Sequence, residues 1–229
     1  MGAHPRARAA LYWAPAIDDS LHHLGSQWLG RDAETGGSLI QPEIPGLDLH
    51  ALTADPRGYG LHATLKPPFR LAISYAALRK DAEALAAATA PFELPPLKLA
   101  SLGGFLALRE AAPCPALQAL ADVCVATLDT HRLPPDEAEI ARRRPERLSP
   151  AERFNLERWG YPHVFGHWRF HVTLTRRLTP KEEEAVRPIA AAMLAEAAAQ
   201  PRLVTELCLF TQAGPGEAFL IAERLPLGG

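Results

Sequence analysis

One tetrapeptide occurs twice in the chain: His62-Ala63-Thr64-Leu65 returns as His171-Val172-Thr173-Leu174, 109 residues further on. Its surroundings return with it. Behind the first copy, Ser74–Ala90 carries Ala and Leu at helical spacing. Two strand-like runs follow, Leu97–Leu102 and Phe105–Arg109, around the short-hairpin signal Gly103-Gly104. Behind the second copy, Thr179 is a predicted N-cap and Pro180 the first residue of a helix reaching Ala199. Leu203–Thr211 and Ala218–Arg224 then read as strands around Gly214-Pro215-Gly216. The closing segments are alike too, Phe105-Leu106-Ala107-Leu108-Arg109-Glu110 against Phe219-Leu220-Ile221-Ala222-Glu223-Arg224. A period near 109 is too long for a solenoid and fits two pseudo-symmetric lobes. The expected fold is therefore α+β, each lobe an antiparallel sheet with outer helices, and a polar cleft between them.

The rest of the chain is fitted around this repeat. Leu11–Ala14 reads as a short strand stopped by Pro15, and Ser20 as the N-cap of a helix that buries Leu21, Leu24, Trp28 and Leu29. Gly30–Gly46 reads as a loop. The expected organisation is one bilobal domain over 1–229, with repeats at about 59–110 and 168–225 and a helical connection at about 113–160. Within that connection, Pro113–Thr130 reads as a helix, Pro134-Pro135 breaks it, and an Arg-rich helical stretch runs from Asp136 to about Trp159.

Composition sets limits on function. The chain is 48% hydrophobic and 22% charged over 229 residues, enough to bury a sizeable core. A net charge of −2 argues against coating nucleic acid through bulk electrostatics, but leaves room for a small phosphorylated ligand in a local pocket. Arg142-Arg143-Arg144 and Arg147 are interleaved with Glu137, Glu139, Glu146 and Glu152, which favours a solvated helix face over a substrate- or partner-facing patch. Cys114, Cys124 and Cys208 are odd in number and scattered, as in a reducing compartment. The segment from Met1 to Arg6 is basic, yet the apolar stretch from Ala9 is broken by Pro15 and Asp18, so no secretory signal is expected. Nor does any apolar run approach the ~18 residues of a membrane span. A cytoplasmic protein is expected. P-loop, dinucleotide-binding and G-x-S-x-G signatures are missing from the sequence.

The repeated tetrapeptide carries the chemistry. On a strand, residues i and i+2 share a face. His62 and Thr64 would look one way while Ala63 and Leu65 enter the core, and likewise for His171 and Thr173 against Val172 and Leu174. Two imidazoles on opposite sides of a phosphorus can divide the general-base and general-acid roles. Threonine hydroxyls can donate to the non-bridging oxygens, where transition-state charge develops. No metal or cofactor is required. With 9 His, 11 Thr and 34 Leu, random order yields about 0.06 copies of H-x-T-L, so a second copy at the equivalent place is not chance.

Paired H-x-T-x motifs in a two-lobed α+β chain resemble the 2H phosphoesterase superfamily. The branch associated with phosphonate metabolism is the nearer likeness. It rests on Tyr59-Gly60-Leu61-His62-Ala63-Thr64-Leu65-Lys66-Pro67-Pro68-Phe69, on Trp159-Gly160-Tyr161-Pro162, and on Arg169-Phe170-His171-Val172-Thr173-Leu174-Thr175. It extends to Leu11-Tyr12-Trp13-Ala14-Pro15 and Trp28-Leu29-Gly30-Arg31-Asp32-Ala33. The resemblance implies catalytic His62 and His171, phosphate-holding Thr64 and Thr173, and hydrolysis of a small cyclic phosphodiester, such as a cyclic ribose phosphate or a 2′,3′-cyclic nucleotide. Two alternatives stand beside it: processing of a short RNA end, and a phosphate-binding module without turnover.

Tyr12, Tyr59, Lys66, Tyr161 and Arg169 flank the motifs and are candidate substrate contacts, against the plainer roles of packed tyrosine or solvated charge. Arg169 shares the face of His171 only if the strand reaches back that far. His163, His167 and His171 have the i, i+4, i+8 spacing of a helical metal site. Pro162 and Gly166 make a continuous helix there improbable, and no metal ligand is assigned.

Overall fold

The computed structural model describes residues 7–229, so the reading of the segment from Met1 to Arg6 falls outside the described residues. The chain begins with β1 (Arg8–Trp13) and α1 (Ser20–Leu29). Asp19, not Ser20, caps α1, its carboxylate accepting from the Leu21 N–H at 2.8 Å. Gly30, at φ 78°, ends the helix in the left-handed conformation glycine adopts without steric cost. Two short helices that the sequence did not announce follow, α2 (Leu49–Leu52) and α3 (Ala54–Tyr59).

The first repeat then unfolds as β2 (Ala63–Arg70), α4 (Tyr75–Ala87), β3 (Phe92–Leu94), β4 (Leu97–Leu102) and β5 (Phe105–Glu110). The connection holds α5 (Pro115–Thr127), α6 (Glu137–Arg142) and α7 (Pro150–Trp159). The single Arg-rich helical stretch expected from Asp136 is thus two helices. Arg144, at φ 50°, and Pro145 break it, and Ser149 starts α7 with a capping box to Glu152. The second repeat supplies β6 (Val172–Thr173), α8 (Pro180–Ala199), β7 (Arg202–Val204), β8 (Glu206–Gln212) and β9 (Leu220–Pro226). Thr179 caps α8 in a capping box with Glu182, as its sequence predicts. The run Leu203–Thr211 is not one strand: β7 leaves to pair with β3 in a separate two-stranded sheet.

The fold is α+β with antiparallel pairing throughout, as expected, and the strands of the two halves interleave, β6 of the second lying between β5 and β2 of the first. One seven-stranded sheet runs β4-β5-β6-β2-β1-β8-β9. The two hairpins lie at its two ends, with β5 inside and β4 at one edge, β8 inside and β9 at the other. One face of the sheet is the main core. Leu11, Leu65, Leu108, Val172, Leu174 and Leu209 are fully buried there against Trp28 of α1, Leu78 of α4, Leu120 of α5 and Leu194 of α8. Each such side chain withdrawn from water contributes about 1.5–3 kcal/mol. The opposite face is thinner. It carries Ala10, Tyr12, Cys208, Phe210 and Phe219, with Tyr59 and Ile221 packed against them. No helix among the described residues is long and apolar enough to cross a membrane.

Candidate active site

The two motifs meet at the middle of the sheet. Ala63 of β2 pairs antiparallel with Val172 of β6. That single register sets His62 opposite Thr173 and Thr64 opposite His171, all four on one face. Their alternating neighbours Ala63, Leu65, Val172 and Leu174 are fully buried on the other face, which makes the register costly to slip. A 2 × 2 array of two imidazoles and two hydroxyls results. Tyr12 pairs with Thr64 from the β1 side and extends the same face.

Both histidines are held in the same way. The Nδ1–H of His62 donates to the Gly60 carbonyl at 2.9 Å, and that of His171 to the Arg169 carbonyl at 2.9 Å. In each case the carbonyl belongs to the residue two before the histidine. With Nδ1 engaged as donor, Nε2 is the nitrogen left to exchange a proton. Gly60 can offer its carbonyl only as glycine: its φ is 81°, and a Cβ there would come within 2.4 Å of Ala33 Cβ. Thr64 Oγ1 lies 3.5 Å from His62 Nε2. Two indoles pin the motif backbones, Trp168 Nε1 donating to the Thr64 carbonyl at 2.7 Å and Trp28 Nε1 to the Leu174 carbonyl at 3.0 Å.

The walls are aromatic on the His62 side. Tyr12 stacks on His62 at 4.0 Å between ring centroids and Tyr59 at 5.7 Å. Tyr59 itself stacks on Phe219 at 5.1 Å. Burial lowers His62 to about 4, opposed by the Gly60 hydrogen bond and helped by the nearness of His171. His171 is also lowered by burial, with the Arg169 carbonyl working against the shift and Arg109 reinforcing it. Burial also raises Tyr12 well above the usual phenol range, so its hydroxyl stays protonated. Both histidines are therefore neutral at pH 7, held below the free imidazole value of about 6.5.

A cavity of about 320 Å³ opens over this array, with Tyr12, Tyr59, His62, Thr64, Thr173 and Tyr161 in its lining. His171 stands beside the cavity, its ring 5.9 Å from Phe105, which does line it. Of the flanking candidates, Tyr12, Tyr59 and Tyr161 are thus on the cleft. Lys66 is not. A register shift on β2 between Thr64 and Lys66 turns Lys66 to the core side, where Nζ donates to the Val125 carbonyl at 3.1 Å and lies 3.6 Å from Asp129. Burial there lowers its ammonium to about 8. Arg169 also falls away, because β6 begins only at Val172. Its guanidinium donates to the carbonyls of Gly166 and Trp168 and is exposed.

Several residues of the site escaped the sequence reading. Arg143, Arg176 and Arg177 line the cavity, and Asp55 and Pro56 arrive on α3. Arg143 lies over the Tyr161 ring at 4.6 Å. It comes from the run expected to be a solvated face; α6 indeed buries none of its residues, and Arg143 reaches the cleft from the exposed end of that helix. Arg109 is placed opposite His171 by the pairing of Ala107 with Thr173 and Leu108 with Val172. Its strand was legible, but the pairing of that strand with β6 was not. Among the described residues no cluster of three or more His, Cys, Asp or Glu is placed to hold a metal ion.

A family model described as "Protein of unknown function (DUF1045)" matches residues 64–220. A relative from Janthinobacterium sp. (strain Marseille), named Ribose 1,5-bisphosphate phosphokinase PhnN, is 36% identical over 231 residues, 97% of this chain and 51% of its own length. One of the same name from Laribacter hongkongensis (strain HLHK9) is 37% identical over 221 residues, 94% and 51% of the two lengths. The chain spans about half the length of these curated relatives. Among solved structures, E. coli LigT in apo form matches with a TM-score of 0.48 at 15% identity, covering 99% of this chain and 100% of that one. E. coli LigT complexed with 3′-AMP matches with a TM-score of 0.44 at 14% identity and the same coverage.

Proposed function

The chain belongs to the DUF1045 family, and we propose that it is a metal-independent phosphoesterase that hydrolyses a small cyclic phosphodiester of ribose to a phosphomonoester. The observation that carries this reading is the array of His62, Thr64, His171 and Thr173 on one sheet face, with both Nδ1 atoms tied to backbone carbonyls. One Nε2 takes a proton from water as its oxygen bonds to phosphorus. The other gives a proton to the sugar oxygen as the P–O bond of the ring breaks. The products are a phosphomonoester and a free hydroxyl. Thr64 and Thr173 donate to the non-bridging oxygens, where negative charge grows.

The reading accords with the resemblance of both motifs to the 2H phosphoesterases. The name of the curated relatives concerns a ribose carrying two phosphates. Opening a cyclic phosphate on ribose 5-phosphate would yield a compound of that class, which supports the choice of sugar. The chain spans about half the length of those relatives, and its sequence carries no P-loop to serve the kinase activity in their name.

The test is turnover in EDTA on a panel of a ribose 1,2-cyclic phosphate, 2′,3′-cyclic nucleotides and a 2′-5′-linked dinucleotide. Wild type is run beside His62→Ala and His171→Ala. Turnover of a cyclic member, lost in both variants, is the expected result. Activity abolished by EDTA and restored by zinc would overturn the metal-free mechanism. Preference for the dinucleotide would move the reading to RNA-end processing, and folded protein inert on every member would move it to a binding module.

A further inference from the structure

Beyond the catalytic cleft lies a second cavity of about 500 Å³, lined by Arg8, Arg70, Asp136, Glu139, Arg142 and Arg143 among others. Tyr59 and Arg143 line both spaces, so the two lie side by side with a wall in common. The charges in the second one do not cancel. Arg70 lies 3.0 Å from Glu139 and 3.7 Å from Asp136, and these two carboxylates also form the capping box of α6. Among the described residues Arg8, Arg142 and Arg143 form no ion pair. Arg8 donates to Gln212 Oε1 at 2.8 Å and lies over the Phe219 ring at 5.3 Å, while Arg143 lies over Tyr161. Aromatic faces and a neutral amide orient these guanidiniums without neutralising them.

Arg8 and Tyr12 are on the same face of β1, four residues apart, about 13 Å along a strand. Arg8 of the basic cavity is therefore about 13 Å along β1 from the ring that stacks on His62, with Tyr59 shared between the two spaces. Resting on the phosphoesterase reading above, we infer that this cavity is the subsite for a second phosphate on the substrate, held by Arg8, Arg142 and Arg143. The substrate class is then a phosphorylated cyclic phosphodiester. One phosphorus faces the histidines, and a terminal phosphate group lies past Tyr59. Planar guanidinium forks suit such a group, since each can donate two hydrogen bonds to phosphate oxygens.

The experiment compares matched pairs that differ by one phosphate. Turnover is measured on ribose 1,2-cyclic phosphate against its 5-phosphate, and on adenosine 2′,3′-cyclic phosphate against its 5′-phosphate. Binding is measured by calorimetry with adenosine 3′-monophosphate against adenosine 3′,5′-bisphosphate, which needs no turnover. Wild type should favour the doubly phosphorylated member of at least one pair, and Arg8→Gln or Arg142→Gln should reduce that preference roughly ten-fold each. Arg144→Gln, outside both cavities, should leave the ratio as it is. A preference in binding without any turnover would uphold the subsite while the phosphoesterase reading fails. Equal handling of both members, or a preference that the arginine variants keep, would overturn the subsite. Affinity that climbs with added nucleotides but not with the single phosphate would also overturn it, marking the arginines as an RNA track.

Discussion

β2 presents its histidine from a strand of eight residues that is hydrogen-bonded to β1 along its length. β6 presents the other from two residues and meets β2 through one pair, Ala63 with Val172. Two tyrosine rings stack on His62, whereas His171 has Phe105 and the Arg109–Glu110 pair near it. The same tetrapeptide thus occupies two unlike environments. A motif sets which groups are offered; the packing around it sets their proton affinity and their freedom to move. That asymmetry suits a reaction needing one base and one acid at the same moment.

The largest effect should come from the histidines, and it should be unequal in kind. Burial strips water from the imidazolium, so both rings favour the neutral form and their values fall. With His62 as base and His171 as acid, kcat/KM for the free enzyme rises through about 4 as His62 loses its proton. It falls again below about 6.5 as His171 loses its own. The optimum of kcat/KM is therefore acidic. Bound phosphodiester carries negative charge, which favours imidazolium and moves the kcat profile upward. Either His→Ala variant should lower kcat by roughly 10²–10⁴-fold. Only His62→Ala should erase the acidic limb of the pH profile, and only His171→Ala the alkaline limb. Interchanged limbs would reverse the roles, and a flat wild-type profile would break the comparison altogether.

The threonines test whether the two motifs are at least equivalent toward phosphate. Thr64→Val and Thr173→Val each remove a hydroxyl at nearly constant shape, and each should lower kcat by about 10²-fold if both donate to the developing charge. Thr64 Oγ1 is also 3.5 Å from His62 Nε2. Were that contact its whole role, Thr64→Val would shift the acidic limb and leave the maximal kcat unchanged, and the parity of the two threonines would fail.

How much of this was legible in the sequence follows from the reach of each signal. Alternation within the motifs announced which side chains share a face, because a period of two is local to four residues. The cap of α8 and the Gly103-Gly104 turn were legible for the same reason. Lys66 was misplaced because a register shift is a property of two strands, and its partner on β1 lies more than fifty residues away. Arg169 was misplaced because β6 is far shorter than its motif suggests. Arg143 escaped because the interleaved charge marks a solvated helix, as α6 is, without telling which of its exposed side chains overhang a cleft. That the strands of both halves would share one sheet depended on β6 lying between β5 and β2, a contact no segment encodes alone.

The indoles sharpen the comparison at its smallest scale. Trp28, fully buried in α1, donates to the carbonyl of Leu174, and Trp168 donates to that of Thr64. Replacing either by Phe keeps most of the apolar surface but leaves a carbonyl short of a donor, a cost of about 1–3 kcal/mol in unfolding free energy. The catalytic consequences should differ. β2 has β1 to keep its register, so Trp168→Phe should lower stability in a denaturant titration while kcat changes little. β6 has little ladder of its own, and the Trp28 bond holds the residue just past Thr173. Trp28→Phe should therefore cost similar stability and also lower kcat several-fold, since His171 and Thr173 lose their fixed backbone. Equal kcat losses in the two variants would mean that β6 is held by its packing, with Val172 and Leu174 in the core, and that its shortness has no catalytic price.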